Sequence, residues 1–255
     1  MSLDRILIAN RSEIAMRVTR TIADRGGKSI LPYTAEDLTA PATALADEAY
    51  ALPAGSGYTD AQAILELAKS TGAQAIHPGY GFLAENVEFA KAVIEAGITW
   101  IGPAPEAMEA LGDKMSARQV AESAGVDPVP GITDAVTEAS VVKEFAARYG
   151  YPVALKRTDG GGGRGITVLY NDDEVDTTPA LDEFQTATPG TAGGTVTQIL
   201  EKFITHARHV ETQCARDAFG NFAVVSTRDC TLQRRNQKLL EEAPAPFLPA
   251  DIEHK

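Results

Sequence analysis

The stretch VALKRTDGGGGRGITVLY, residues 153–170, decides how the second half of the chain folds. A β-prone run ends in Lys156 and Arg157, glycines fill 160–163, and after Arg164 and Gly165 a second β-branched run begins. Every glycine costs conformational entropy on folding, so a run of them marks a backbone that must bend freely or approach something closely. Strand, glycine loop, strand reads as a hairpin that can fold over a polyphosphate and donate successive N–H groups to its oxygens. A floppy surface hairpin is the plainer reading of this segment alone. Gly160, Gly162 and Gly165 formally satisfy GxGxxG, with Asp182 at a suitable distance, but the dinucleotide fingerprint needs a helix after its last glycine and ITVLY is a strand pattern. Protein kinases place the glycine loop before the lysine, the reverse of the order here, and neither HRDxxxxN nor DFG is present. GGKS at 26–29 ends like a P-loop, yet Ile22 stands where that motif needs its opening glycine, so the segment reads as the turn closing a helix.

Upstream, short apolar runs alternate with helical stretches. RILIAN, a helix over 12–25, KSILPY, AYALP, a helix over 60–70, AQAIHP, a helix over 86–95 and ITWIGP form a βαβ series. Thr59 or Asp60 is available as an N-cap, and Gly72 and Gly97 are placed to end their helices. Elements alternating at this length predict an α/β fold with a doubly wound, mostly parallel sheet. A connection with a short helix, GPAPEAMEALGDK, then leads to helices around 116–123 and over 137–149. Beyond 150 strand signals dominate: PVALKR, GITVLY, TVTQILEKF, HVETQCARD and NFAVVSTRDC, the last two joined by a turn at DAFGN. This part is α+β with antiparallel pairing, and TATPGTAGG, 186–194, reads as a flexible loop.

With 255 residues, 44% of them hydrophobic, the chain is long enough for one large or two ordinary domains. The formal net charge of -12, from 35 acidic and 23 basic residues, argues against nucleic acid or an anionic membrane as partner. Any phosphate must therefore be met locally. The two cysteines, Cys214 and Cys230, form no CxxC, and their spacing to the four histidines supports neither a zinc site nor a disulfide framework. A cytoplasmic location fits, since the N-terminus lacks a signal-peptide core and no apolar run approaches the roughly 18 residues of a membrane span.

In EKFITHARHVETQ, strand alternation places His209, Glu211 and Gln213 on one face and Val210, Thr212 and Cys214 on the other. RDCTLQRRNQKLLEEAPAP then gathers Arg228, Arg234, Arg235 and Lys238 in an otherwise acidic chain, which is where an anion would bind. Salt bridges to Glu241 and Glu242 are the alternative for these cations.

In this order, ILIANRSEIAMRV, AIHPGYGFLAEN, WIGP, LGDKMSAR, ALKRTDGGGGRGI, EKFITHARHVETQ and RDCTLQRRNQKLLEEAPAP resemble the biotin carboxylase component of biotin-dependent carboxylases, a branch of the ATP-grasp superfamily. STRDCTLQRRNQK leans toward the acyl-CoA carboxylases. The resemblance covers essentially the whole chain. It implies an N-terminal α/β domain over 1–113 and the first part of an α+β ATP-grasp domain over 114–255, with a glycine-rich lid subdomain at about 130–203. The reaction implied is phosphorylation of bicarbonate by ATP to carboxyphosphate, which carboxylates biotin held on a carrier domain. The other readings are a different ATP-grasp ligase, such as a carbamoyl-phosphate synthetase relative, or a non-catalytic nucleotide-binding module.

The same resemblance assigns roles. Lys114 and Lys156 match lysines that neutralise nucleotide phosphate, Gly161, Gly162, Gly163 and Gly165 belong to the lid, and Glu201, Lys202 and Ile204 match the segment that reads adenine. His209, Gln233 and Asn236 fall at positions around the nucleotide, and Lys238 at one that helps hold bicarbonate as part of the catalytic machinery. The implied cofactors are ATP, Mg2+ and biotin; the implied partners are the carrier domain, a carboxyltransferase and a second copy of the chain. Ser12 stands where the family commonly has glycine, Ala84 where it has serine, Asn236 where histidine is commoner, and Thr227 where glutamate is frequent. The family's magnesium-binding glutamates, bicarbonate-activating glutamate and catalytic arginine follow EEAPAP by some tens of residues. They are therefore expected past Lys255, and the chain is expected to be an N-terminal portion that is inactive alone.

Overall fold

The computed structural model describes residues 3–112, 114–157, 165–181, 198–234 and 237–249. The chain forms two compact units, Met1–Val120 and Ala121–Lys255.

In the first unit, strands β1 (Arg5–Ile8), β2 (Lys28–Tyr33), β3 (Glu48–Ala51), β4 (Ala75–His77) and β5 (Thr99–Trp100) make a parallel sheet in the order β3-β2-β1-β4-β5. Helices α1 (Ser12–Asp24), α2 (Pro41–Leu45), α3 (Ala61–Ser70), α4 (Val87–Glu95) and α5 (Pro105–Gly112) accompany it. Alternation along each strand feeds two cores. Leu7, Ile30 and Ile76 pack with Ile64 and Ala68 of α3 and Phe89 and Val93 of α4. Their neighbours Ile8 and Leu31 pack with Ala15, Val18 and Ile22 of α1 and Ala42 of α2. Strands covered on both faces read as continuous apolar runs, which is why RILI and SILP carry no polar alternation. Fully burying each such aliphatic side chain stabilises the fold by about 1.5–3 kcal/mol.

Local chemistry sets the helix ends. Asp60 accepts from the Ala63 amide at 3.0 Å and Asn86 from the Phe89 amide at 2.8 Å, so Asp60 rather than Thr59 caps α3. The GGKS segment closes α1: the Gly26 and Gly27 amides donate to Ala23 and Ile22, and Lys28 already belongs to β2. At the carboxyl edge of the sheet Arg11 grips Asp37 through two 2.6 Å bonds, and the Tyr58 hydroxyl donates to the same carboxylate at 2.7 Å. Arg11 first, with Tyr58 behind it, holds the Asp37 carboxyl below the usual range despite its burial.

Helix α6 (Lys114–Ser123) leads into the second unit. There β6 (Gly131–Ile132), β7 (Val153–Arg157), β8 (Ile166–Leu169) and β9 (Gln198–Lys202) form an antiparallel sheet in the order β6-β9-β7-β8. Helices α7 (Ala139–Tyr149) and α8 (Asp172–Thr177) supply Val142, Phe145 and Val175, which pack against Val153, Leu155, Leu169 and Leu200. Since Ile166–Leu169 is a strand, the dinucleotide reading is excluded by geometry as well as by pattern. Strands β10 (Val210–Arg216), β11 (Phe222–Arg234) and β12 (Gln237–Glu242) form a separate antiparallel sheet in that order. Strands β6 and β12 and helices α2 and α8 have no counterpart in the sequence reading. Strand β12 is QKLLEE, exposed throughout, and is a strand because β11 offers it a hydrogen-bonding edge. No described helix is long and apolar enough to cross a membrane.

Candidate functional site

In the β7–β9 pairing Leu155 stands opposite Leu200 and Val153 opposite Lys202, all directed to the helix-covered face. The neighbouring residues therefore face the other way, and Lys156 and Glu201 meet there as a diagonal ion pair, each side chain about a quarter exposed. Lys202 behaves differently. Its ammonium donates to the carbonyls of Gly150 at 3.0 Å and Tyr151 at 2.8 Å, where α7 ends, and its amide donates to Pro130 at 2.9 Å. Ile204, just beyond the strand, is half exposed.

The base of the glycine hairpin is tight. Gly165 has φ +74°, and the Arg157 amide donates to its carbonyl at 2.9 Å. A Cβ on Gly165 would lie 2.9 Å from Cδ and 3.1 Å from Cβ of Arg157, so only glycine fits without a shift. Gly160, Gly161, Gly162, Gly163, Arg164, the 186–194 loop, Arg235, Asn236 and the side chain of Lys114 lie outside the described residues.

The second cluster sits on the β10–β11–β12 sheet. Register puts Glu211 opposite Arg228 and Gln233 opposite Lys238. Glu211 is the hub: it pairs with Lys238, with Arg228 at 2.6 Å and with His209 Nε2 at 3.3 Å, while Gln233 Nε2 lies 3.2 Å from His209 Nδ1. Arg228 also reaches Glu241 at 2.7 Å and Gln213 at 3.2 Å, so the salt-bridge alternative holds for this arginine. Lys238 first, with Arg228 supporting it against burial, holds the Glu211 carboxyl below the usual carboxylate range. Arg228 Nε is buried and makes no hydrogen bond among the described residues. A buried donor left unpaired beside a carboxylate shared by two cations suits an anionic ligand or its bridging water.

His209, Gln233 and Lys238 are thus brought together, as are Lys156 and Glu201, and no described hydrogen bond or ion pair joins the two groups. Sequence reading placed Glu211 on a polar face without giving it a role. Its signal was the His209-Glu211-Gln213 alternation; the register that adds Arg228 and Lys238 was not visible there. Arg208 contributes a clasp beside the cluster, bonding Asp229 Oδ2 at 2.7 Å and the Pro246 carbonyl at 2.6 Å. Among the described residues no group of three His, Cys, Asp or Glu is placed to hold a metal ion.

A doubly wound α/β unit followed by a helix-backed antiparallel sheet with a glycine hairpin, and then a sheet bearing clustered cations, defines the ATP-grasp class of nucleotide-using ligases. Residues 2–108 match the family model of the biotin carboxylase N-terminal domain, and residues 113–255 that of the carbamoyl-phosphate synthase L chain ATP-binding domain. The chain belongs to the biotin carboxylase family. It is 47% identical over 247 residues to the alpha3 subunit of a biotin-dependent acyl-coenzyme A carboxylase from Mycobacterium leprae, matching 96% of this chain and 41% of that one. Among solved structures it is similar to a biotin carboxylase–β,γ-ATP complex from Campylobacter jejuni, with TM-score 0.85 and 40% identity over 98% of this chain and 56% of that one. It is equally similar to the biotin carboxylase domain dimer of Hydrogenobacter thermophilus 2-oxoglutarate carboxylase, in complex with MgADP, ADP and bicarbonate, with TM-score 0.84 and 40% identity over 98% and 55% of the two chains. The chain thus spans about half the length of these relatives.

Proposed function

We propose that the protein to which this chain belongs carboxylates carrier-bound biotin, using ATP and bicarbonate, as the first half-reaction of an acyl-CoA carboxylase. The observation that carries the reading is Glu211 held between Lys238 and Arg228 beside His209 and Gln233, on a sheet whose family relatives include a complex with nucleotide and bicarbonate. In this reading 1–113 is the N-terminal domain and 114–255 the ATP-grasp portion, with the lid at about 130–203.

Lys156 turns from Glu201 to nucleotide phosphate, which leaves the Glu201 carboxylate to accept from the adenine amino group. A fixed ammonium on the sheet supplies charge where negative charge develops, with no solvent to reorganise. Gly161, Gly162, Gly163 and Gly165 cover the phosphates, and Lys114 adds a second cation. Lys202 contributes its backbone to the adenine segment, since its ammonium is held by the Gly150 and Tyr151 carbonyls just past α7. His209, Gln233 and Asn236 border the nucleotide. Lys238 exchanges Glu211 for bicarbonate, and Arg228 keeps Glu211 ionised and in place. Closing the hairpin excludes water from carboxyphosphate, which hydrolysis would destroy. Biotin supplies the nitrogen that accepts the carboxyl group. Partners are the carrier domain, a carboxyltransferase and a second copy of the chain, in the cytoplasm. Similarity to the Mycobacterium leprae subunit supports the acyl-CoA branch, and the dimer of the Hydrogenobacter domain supports self-association.

The carbamoyl-phosphate synthase model matching 113–255 favours a second reading, another ATP-grasp ligase. Phosphate release by the complete protein decides between them. Bicarbonate-dependent ATP cleavage stimulated by free biotin is expected, with Lys238→Ala raising the KM for bicarbonate and leaving that for ATP nearly unchanged. Cleavage indifferent to biotin overturns the assignment, and equal impairment for both substrates removes Lys238 from the anion site.

A further inference from the structure

Residues 78–82 form a turn at the carboxyl edge of the first unit's sheet that the nucleotide reading leaves unused. In the order β3-β2-β1-β4-β5 the chain reverses its direction across the sheet between β1 and β4, and open α/β sheets bind ligands outside the strand carboxyl ends at such points. The turn presents Tyr80, 61% exposed, and Phe82, 46% exposed, at the rim of a cavity of about 360 Å³ shared with Asn10 and Arg11.

Side chains from β1, α1 and β4 fix this turn. Asn10, buried just past β1, donates through Nδ2 to the carbonyls of Pro78 and Tyr80, each at 2.8 Å. The Tyr80 hydroxyl donates to Glu13 at the start of α1. The Gly79 amide donates to Nδ1 of His77, the last residue of β4, at 3.0 Å. Gly79 has φ +66°, and a Cβ there would lie 2.6 Å from Asn10 Nδ2, so the turn has no slack to find another acceptor. Of these holds only the last depends on a bare imidazole nitrogen: it requires neutral His77 with its proton on Nε2.

We propose that His77 is a positioning residue for the Tyr80 turn, locking it as a neutral acceptor and loosening it on proton uptake. Protonated Nδ1 is a donor, so it would face the Gly79 N–H donor to donor and leave that amide without a partner. Burial pushes the His77 pKa below its ordinary value. Arg17 of α1 and Arg25, just past its end, line the cavity into which His77 opens. Asp4, ahead of β1, is the one acid among the described residues lining it; β1 and the segment after β5 offer only Ile6 and Ile101. The sign follows: the lock is complete above the ordinary imidazole pKa of about 6.5 and is lost as pH falls through the lower folded value. This inference stands apart from the nucleotide site.

The test is NMR on the full 255-residue chain, following the His77 ring nitrogens and the protection factor of the Gly79 amide from about pH 7.5 to pH 5. At neutral pH the ring is expected as the Nε2–H tautomer. Gly79 protection should fall about tenfold as His77 titrates. In His77→Asn the side-chain oxygen can occupy the Nδ1 position, so Gly79 should stay protected at neutral pH and lose its pH dependence. His77→Ala should lack protection across the range. Wild-type Gly79 protection that stays flat while His77 titrates overturns the proposal, as does a His77→Asn profile that follows the wild type.

Discussion

Replacing Gly165 by alanine tests the geometry of the glycine hairpin directly. At φ +74° an L-residue costs about 1 kcal/mol, the low end for a left-handed backbone. The new Cβ would meet Arg157 Cδ at 2.9 Å and Cβ at 3.1 Å. Cδ can swing away, but Cβ is fixed to β7, so the two strands must part by a few tenths of an ångström, adding about 1 kcal/mol of overpacking. The total of about 2 kcal/mol corresponds to a roughly thirtyfold larger equilibrium constant for local opening. Gly220 in the same unit supplies the control: its φ is +90°, but among the described residues beyond its chain neighbours an added Cβ would meet only the far end of Arg216, at 3.8 Å, so alanine there costs about 1 kcal/mol, roughly fivefold. Amide exchange reads both. The Arg157 amide, bonded to the Gly165 carbonyl, reports the hairpin base, and the Asp217 amide, bonded to the Asn221 carbonyl at 3.1 Å, reports the control turn. Equal losses at the two sites would falsify the close packing of Gly165 on β7.

Ser12 adopts φ +54° at the start of α1, so Ser12→Gly should stabilise the first unit by about 1 kcal/mol, read as a higher urea midpoint; an unchanged midpoint would show that the serine side chain offsets its strain. Asp229 accepts from Thr231 and Arg208, which pull its pKa from 3.8 to about 2. A depressed carboxyl contributes stability above its unfolded value of about 4, and that contribution is lost as pH falls through about 2. Carboxyl NMR should therefore find the Asp229 midpoint near 2; a midpoint near 4 would mean that neither the Thr231 bonds nor the Arg208 clasp form in solution. Lys156→Ala in the complete protein should weaken nucleotide binding by about tenfold or more, the loss of one charge-assisted hydrogen bond of about 1.5–3 kcal/mol. Unchanged affinity and turnover would remove Lys156 from the site.

Much of the fold was legible in the chain because local chemistry fixed it. KSILPY is β2 from Lys28 to Tyr33, Asn86 heads α4, and RILIAN followed by SEIAMR gave β1 and then α1. Periodicity also gave the His209-Glu211-Gln213 face, since alternation is a property of one strand by itself. The family resemblance rested on ordered motifs, and those too are local. What neighbours each face meets is not local. QKLLEE shows no strand pattern, yet as β12 it delivers Lys238 to Glu211, because pairing with β11 and the irregularities near Leu232 set its register. Glu201 and Lys202 are adjacent in sequence, but the β7–β9 ladder sends one to Lys156 and the other to the Gly150 and Tyr151 carbonyls just past α7. Asn10 and His77 lie 67 residues apart in the sequence, and only the parallel pairing of β1 with β4 brings them to one turn. A sequence determines which side of a strand each residue takes; register and crossover, set by turns, bulges and the buried core, determine which sides coincide.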